Sequence, residues 1–311
     1  MDVLTDLTVL KHSQSNFKPC GLFLADIHQG QSKLGVEKGP EVLLQSGFVE
    51  FLGEIGWLAR VYAEKKLSQH EFDAYRFLYQ IVEQHIQEND FNIFLGGDHS
   101  IAFSTLPVLL NRYPDLRVLW IDAHGDMNTT TSSPTGNIHG MPLSYALGAQ
   151  EGTPFGFNWV FPHLDPSRLA IIGVRDLDVG EKELINKLNI TCFTDLEIKK
   201  IGMKNVLKEV MFRLDPFGKY PLHLSFDLDA VDPTIACATG VPVGGGLDLR
   251  DIEELGTFFS NFEKLVSLEL VELNPNLAKS QAELIDSIGV FYLLTNALLK
   301  NRLACSVQKS I

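Results

Sequence analysis

Seven short apolar runs, separated by longer amphipathic stretches, constrain this chain more than any other feature. They cover residues 21–25, 92–95, 117–121, 169–173, 191–193, 221–226 and 265–271. Continuous apolar segments of that length are what strands covered on both faces look like. Pro40 opens a helix that continues through Val42-Leu43-Leu44 and Phe48, because proline fits a first helical turn. Further helices are predicted over 71–88, 101–112, 180–188, 203–213, 249–262 and 282–300. Strand and helix alternate, which predicts an α/β fold with a mostly parallel central sheet between helical layers. All seven runs fit one sheet, so residues 1–311 are expected to form a single domain. Residues 150–165, with two prolines, two glycines and four aromatics, read as a long surface excursion.

Composition narrows the function classes. Hydrophobic residues make up 45% of the 311, ample for a large core. No run of eighteen apolar residues suggests a membrane span. The start, Met1-Asp2-Val3-Leu4-Thr5-Asp6, is acidic and unlike a signal peptide, and Gln308-Lys309-Ser310-Ile311 matches no anchor or retention signal. A net charge of −13 disfavours nucleic acid as a partner. Cys20, Cys192, Cys237 and Cys305 lie far apart with no CxxC pair. That spacing fits reduced thiols in a cytoplasm better than a disulfide framework.

Three clusters of acids and histidines each follow a predicted strand directly. They are Gly96-Gly97-Asp98-His99-Ser100, Asp122-Ala123-His124-Gly125-Asp126 and Asp227-Leu228-Asp229-Ala230-Val231-Asp232. Sites in open parallel sheets form at the carboxyl ends of strands, so the three should converge. His99, Asp122, His124, Asp126, Asp227 and Asp229 would then bring four carboxylates and two imidazoles together. So many acids repel one another unless cations sit among them. Mixed oxygen and nitrogen donors suit manganese, with zinc, iron or cobalt as competitors. Six side chains exceed the needs of one ion with an open position, whereas two ions sharing carboxylates, about 3.5 Å apart, are a common hydrolytic device.

These motifs resemble the ureohydrolase family, which includes arginases, agmatinases and formiminoglutamases. The resemblance runs from Gly30-Gln31-Ser32-Lys33-Leu34-Gly35-Val36-Glu37-Lys38-Gly39-Pro40, through the three clusters, to Glu272-Leu273-Asn274-Pro275. It implies a three-layer α-β-α sandwich holding two Mn2+ per subunit. His99, Asp122, Asp126 and Asp227 would hold one ion, and Asp122, His124, Asp227 and Asp229 the other. A hydroxide shared by the ions would attack a guanidinium carbon. Asp126 is implied as proton donor to the leaving nitrogen, His139 as proton shuttle, and Glu272 as partner of the guanidinium. Asp98 is expected to orient His99, since ligating histidines donate their other N–H to an acceptor. A trimer or hexamer is also implied.

Within the family the chain resembles arginases most. Asn128, Thr135 and Asn137 match the loop that receives the substrate α-carboxylate, while Asp178, with Glu181 behind it, matches the acids facing the α-ammonium. Three departures bear on substrate positioning: Thr135 replaces a serine, Val179 a proline and Val241 a threonine. L-arginine is thus the expected substrate. An agmatinase or other guanidino-acid hydrolase is the alternative, and a metal-binding regulator without turnover is the alternative from another class.

Overall fold

The computed structural model describes residues 17–63, 73–150, 156–159 and 164–302. Both terminal segments read above, Cys305, and parts of the expected excursion and of the helix at 71–88 lie outside these residues. Eight strands form one sheet: β1 (Lys18–Ala25), β2 (Trp57–Ala63), β3 (Phe91–Gly96), β4 (Arg117–Ile121), β5 (Leu169–Val174), β6 (Thr191–Thr194), β7 (Leu222–Asp227) and β8 (Leu265–Val271). Their order is β2-β1-β3-β8-β7-β4-β5-β6, and all neighbours run parallel. All seven expected strands are present. The strand that sequence reading passed over, β2, lies at the sheet edge and is only partly covered. Trp57 and Tyr62 are buried while Leu58 and Arg60 face outward, so it carries no continuous apolar run.

The helices are α1 (Gly39–Gln45), α2 (Phe48–Glu54), α3 (Asp73–His85), α4 (Ala102–Arg112), α5 (Pro142–Ala146), α6 (Val179–Leu188), α7 (Asp195–Ile201), α8 (Met203–Leu214), α9 (Leu249–Phe259) and α10 (Gln281–Leu299). The helix begun at Pro40 is two helices, because Gly47 adopts a left-handed φ of 93° and ends the first. The short α7 was not expected; Thr194 and Glu197 start it with a reciprocal capping box. Leu43, Leu52, Val206, Ile252 and Leu294 pack on one face of the sheet with Leu119 and Ile121. Leu78, Val82, Phe103, Leu143 and Ile185 pack on the other with Val118 and Trp120. This is the three-layer α-β-α arrangement. By length and apolar composition α10 could cross a membrane, but here Val290, Leu294 and Leu298 are buried in the core.

Residues 150–165 do not form a purely surface excursion. Phe157 is fully buried, and its ring lies 4.8 Å from Phe103 and 5.0 Å from Tyr75. An aromatic ring of that size gains more from burial than from solvent.

One face of the two central strands departs from the apolar expectation. His223 and Ser225 of β7 stand opposite Ser267 and Glu269 of β8, and all four are fully buried. Buried polar groups need partners, and these supply one another except at His223 Nε2, which has none. His223 Nδ1 lies 2.8 Å from Ser267 Oγ. Ser225 Oγ donates to Glu269 Oε1 at 3.0 Å, and Thr105 Oγ1 of α4 donates to Glu269 Oε2 at 2.6 Å. Burial pushes the His223 imidazole down to about 3, keeping it neutral. The two strands alternate because a polar ladder, rather than water, lies on one side.

The turns after β1, β3 and β8 meet at Gly97. Its N–H donates to Ala25 O at 2.8 Å, and its carbonyl accepts from Glu272 N at 2.8 Å. A Cβ at this position would land on the Ile27 carbonyl. Gly97→Ala should therefore force those turns apart and destabilise the protein by about 3 kcal/mol, the upper part of the range for overpacking. Urea denaturation would measure it; an unchanged midpoint would contradict this account of the turns.

Candidate metal and active site

The expected convergence is present. Strands β3, β8, β7 and β4 are consecutive in the sheet, and their carboxyl ends carry His99, Glu272, Asp227 with Asp229, and Asp122 through Asp126. The carboxyl edge of a parallel sheet is where α/β folds bind ligands.

His99 Nδ1 lies 3.1 Å from Asp122 Oδ2, 3.1 Å from Asp126 Oδ2 and 3.1 Å from Asp227 Oδ2. One ring nitrogen carries at most one hydrogen and cannot serve three carboxylates. His124 Nδ1 is 3.1 Å from Asp229 Oδ2 and 3.4 Å from Asp122 Oδ1. Two sets of donor atoms could thus each surround a cation: His99, Asp122 and Asp227, and Asp122, His124 and Asp229. Asp122 belongs to both. Asp126 Oδ2 is buried without a hydrogen-bond partner, as a donor atom reserved for a cation would be.

The electrostatics agree with the geometry. Burial, then the charge of Asp122, pushes Asp126 up to about 6. Burial and neighbouring acids also raise Asp227 and Asp229. Burial alone would raise Asp122 too, but hydrogen bonds from His124 and His99 outweigh it and hold Asp122 low. Burial opposes the charged form of both histidines, yet the surrounding carboxylates pull both upward. Such a set is satisfied either by extra protons or by divalent cations, and the mixed nitrogen and oxygen donors fit transition ions.

Neighbouring residues fix these side chains. Trp120 stacks on the His99 ring with centroids 3.9 Å apart and donates from Nε1 to Asp122 Oδ2 at 3.0 Å. His99 Nε2 lies 2.8 Å from Ser225 Oγ, which joins the histidine to the polar ladder ending at Glu269. Asp98 is therefore not the partner of the His99 ring. Its carboxylate accepts from the backbone N–H groups of Gly30, at 2.7 Å, and Ser100, at 3.0 Å; the Asp98 side chain is held in its own turn, and Ser225 is the group in reach. Sequence reading missed Ser225 and Glu269. The signal was a lone acid inside the apolar stretch Leu265–Val271. Arg175 holds the turn carrying Asp229, donating to Asp229 O at 2.6 Å and Val243 O at 2.9 Å.

Glu272 is buried beside the cluster. Its Oε1 accepts from His99 N at 3.0 Å and faces His139 Nδ1 at 3.0 Å. Glu272 and Asp126 both take left-handed φ angles, 67° and 49°, a strain of about 1–3 kcal/mol each that clusters at functional sites. Burial alone would lower the His139 imidazole, but the Glu272 hydrogen bond and charge push it up to about 9. Glu272 is lowered by the same pair despite its burial.

The expected substrate-end residues fall into two groups. Asn128 is buried, and its Nδ2 donates to Asp178 Oδ2 at 2.8 Å. Asp178 stands at the N-cap of α6. Glu181 has both oxygens engaged, accepting from Asp178 N at 2.9 Å and Met127 N at 3.1 Å. It braces the two neighbouring turns. Thr135 is exposed and accepts from Asn137 N at 3.2 Å, so these two lie together on a more open rim.

A model of the arginase family matches residues 19–291. The arginase of Saccharomyces cerevisiae is 36% identical over 293 residues, covering 83% of this chain and 87% of the relative. The chain belongs to the arginase family. Among solved structures it is similar to arginase from Bacillus subtilis, at 32% identity and a TM-score of 0.80, covering 89% of this chain and 98% of that one. It is also similar to Entamoeba histolytica arginase in complex with L-ornithine, at 31% identity and a TM-score of 0.79, covering 90% and 98%. The protein is an arginase-type ureohydrolase.

Two expectations follow for this ureohydrolase. After manganese loading and dialysis, elemental analysis should find two ions per chain, and Asp122→Ala or Asp227→Ala should lose more metal than Asp126→Ala. Equal losses in all three would dismiss the shared-ligand arrangement. The second concerns pH in the metal-free protein. His139 is raised in the fold from 6.5 to about 9. Its contribution to stability is thus fully present below its unfolded pKa and is lost as pH rises through about 9. His139→Asn should destabilise the protein clearly at about pH 6 and little at about pH 10. A penalty independent of pH, by urea unfolding at both values, would rule out the ion pair.

Proposed function

We propose that this ureohydrolase is an arginase, hydrolysing L-arginine to L-ornithine and urea with two Mn2+ ions. The convergence of His99, Asp122, His124, Asp126, Asp227 and Asp229 beside Glu272 carries the reading. In it, His99, Asp122, Asp126 and Asp227 hold one ion, while Asp122, His124, Asp227 and Asp229 hold the other. When bound, the ions would polarise the substrate and lower the pKa of water to near 7, as divalent centres do.

The remaining work falls to the chain. Glu272, kept charged by His139, orients the guanidinium so that its carbon faces the carboxylate cluster. Asp126, whose Oδ2 is buried in the cluster without a hydrogen-bond partner, would take up the proton released by the attacking hydroxyl and pass it to the leaving nitrogen. His139, which holds its proton against Glu272 Oε1, carries protons between the site and solvent. At the other end of the substrate Asp178 receives the α-ammonium, with Asn128, Thr135 and Asn137 toward the α-carboxylate. Glu181 serves that end indirectly, by holding the turns of Asp178 and Met127. The chain is taken to act as one ureohydrolase unit, in a homo-oligomer. A reducing cytoplasmic setting fits the free thiols of Cys20, Cys192 and Cys237.

A site built for two charged groups disfavours an analogue lacking one of them, and agmatine keeps the ammonium but has no carboxylate. L-arginine should be preferred over agmatine by as much as about 10⁴-fold in kcat/KM. Asp178→Ala should depress use of arginine strongly and use of 5-guanidinopentanoate, which keeps the carboxylate but has no α-amino group, little. If both fall alike, Asp178 serves only as the N-cap of α6. A wild-type preference for agmatine would overturn the arginase reading itself.

A further inference from the structure

The turn after β1 carries Gly30-Gln31-Ser32-Lys33, and three bonds pin it to the site. Gly30 N donates to Asp98 Oδ2 at 2.7 Å, Gly30 O accepts from His139 N at 3.1 Å, and Lys33 Nζ donates to the Gly240 carbonyl. Between these anchors Gln31 is only 8% exposed. Its Nε2 donates to Glu272 Oε2 at 2.6 Å. A carboxylate only accepts, so the amide cannot face it with its oxygen, and the orientation of the group is settled. Gln31 Oε1 is therefore turned away from Glu272, and it is buried with no partner. It lies over Gly240, where a Cβ would come within 2.7 Å of it. The hydroxyl of the adjacent Thr239 is also buried and unpartnered. A buried acceptor without a donor is costly to keep, and this one sits on the side chain that holds Glu272.

We infer that Gln31 is a specificity-determining residue for the guanidinium head, accepting one guanidinium N–H at Oε1 while its Nε2 holds Glu272 in orientation. The inference rests on the proposal that a guanidino substrate docks at Glu272. A guanidinium carries five N–H donors in one plane. It can be shared between a carboxylate and an adjacent amide oxygen, whereas a compact ammonium has no such planar fork.

Gln31→Met, in the manganese-loaded full-length protein, keeps the size and removes both polar atoms. The kcat/KM for L-arginine should fall about ten- to a hundredfold, mostly through KM, in line with a hydrogen bond to a charged group. Binding of guanidinium chloride, followed by calorimetry, should weaken by a similar factor. Inhibition by L-ornithine, which keeps the amino-acid end and lacks the guanidinium carbon, should change less than about twofold, with manganese content unchanged. Unaltered guanidinium binding, or equal weakening of guanidinium and ornithine, would overturn the assignment. Should Gln31→Met fail to fold, Gln31→Asn keeps the amide but is one methylene shorter, which withdraws the acceptor from its place over Gly240. It should also weaken guanidinium binding about tenfold or more, and unaltered binding there would equally overturn the assignment. Because guanidinium binding is read without turnover, the result stands apart from the arginase reading, which fails instead if wild-type protein releases no urea from any guanidino compound.

Discussion

The crowding of buried carboxylates around two imidazoles governs this structure. His99 Nδ1 is 3.1 Å from each of three aspartate oxygens, far more negative charge than one ring can balance. Burying even one unpaired carboxylate is expensive, and here Asp122, Asp126, Asp227 and Asp229 are all buried. Only a rigid scaffold can hold such a set against its own repulsion. The four central strands provide it, because each delivers a turn to the same edge and each is locked to its neighbours by parallel ladders.

The supports beneath the cluster follow from the same demand. The Ser225–Glu269–Thr105 chain reaches the His99 ring from below, while Trp120 covers its face. Arg175 gathers the Asp229, Ala230 and Val231 carbonyls of the β7 turn, and Asp98 ties the β1 turn to the β3 turn. Interactions of this kind orient metal-ligating side chains and tune their basicity. The left-handed backbones of Asp126 and Glu272 show that local preference has been overridden to aim two acids, with surrounding hydrogen bonds absorbing the strain.

Much of this was legible before folding. Buried parallel strands announce themselves as apolar runs, and Arg117–Ile121 and Leu265–Val271 have the bounds expected of them. The edge strand β2 did not, because half-covered positions tolerate Leu58 and Arg60. The polar ladder on β7 and β8 was also hidden. His223 and Ser267 are 44 residues apart in sequence, and nothing local says that one will satisfy the other. Asp98 misled for the same reason: proximity in sequence to His99 suggested a partnership that Ser225, 126 residues away, supplies.

Strand periodicity and clusters at strand ends are local properties, so the sequence alone determined the α/β class, the six candidate donor residues and their convergence at one sheet edge. It also determined the chemistry they suit, since residue type sets which atoms can accept or donate. Tertiary structure alone decided which side chains orient those donors. It joined Gln31 to Glu272 across 241 residues, turned Asp98 toward Gly30, and gave Glu181 to two backbone turns. Hydrogen bonds act over about 3 Å whatever the separation along the chain, so their pairing is known only once the strands have been laid side by side.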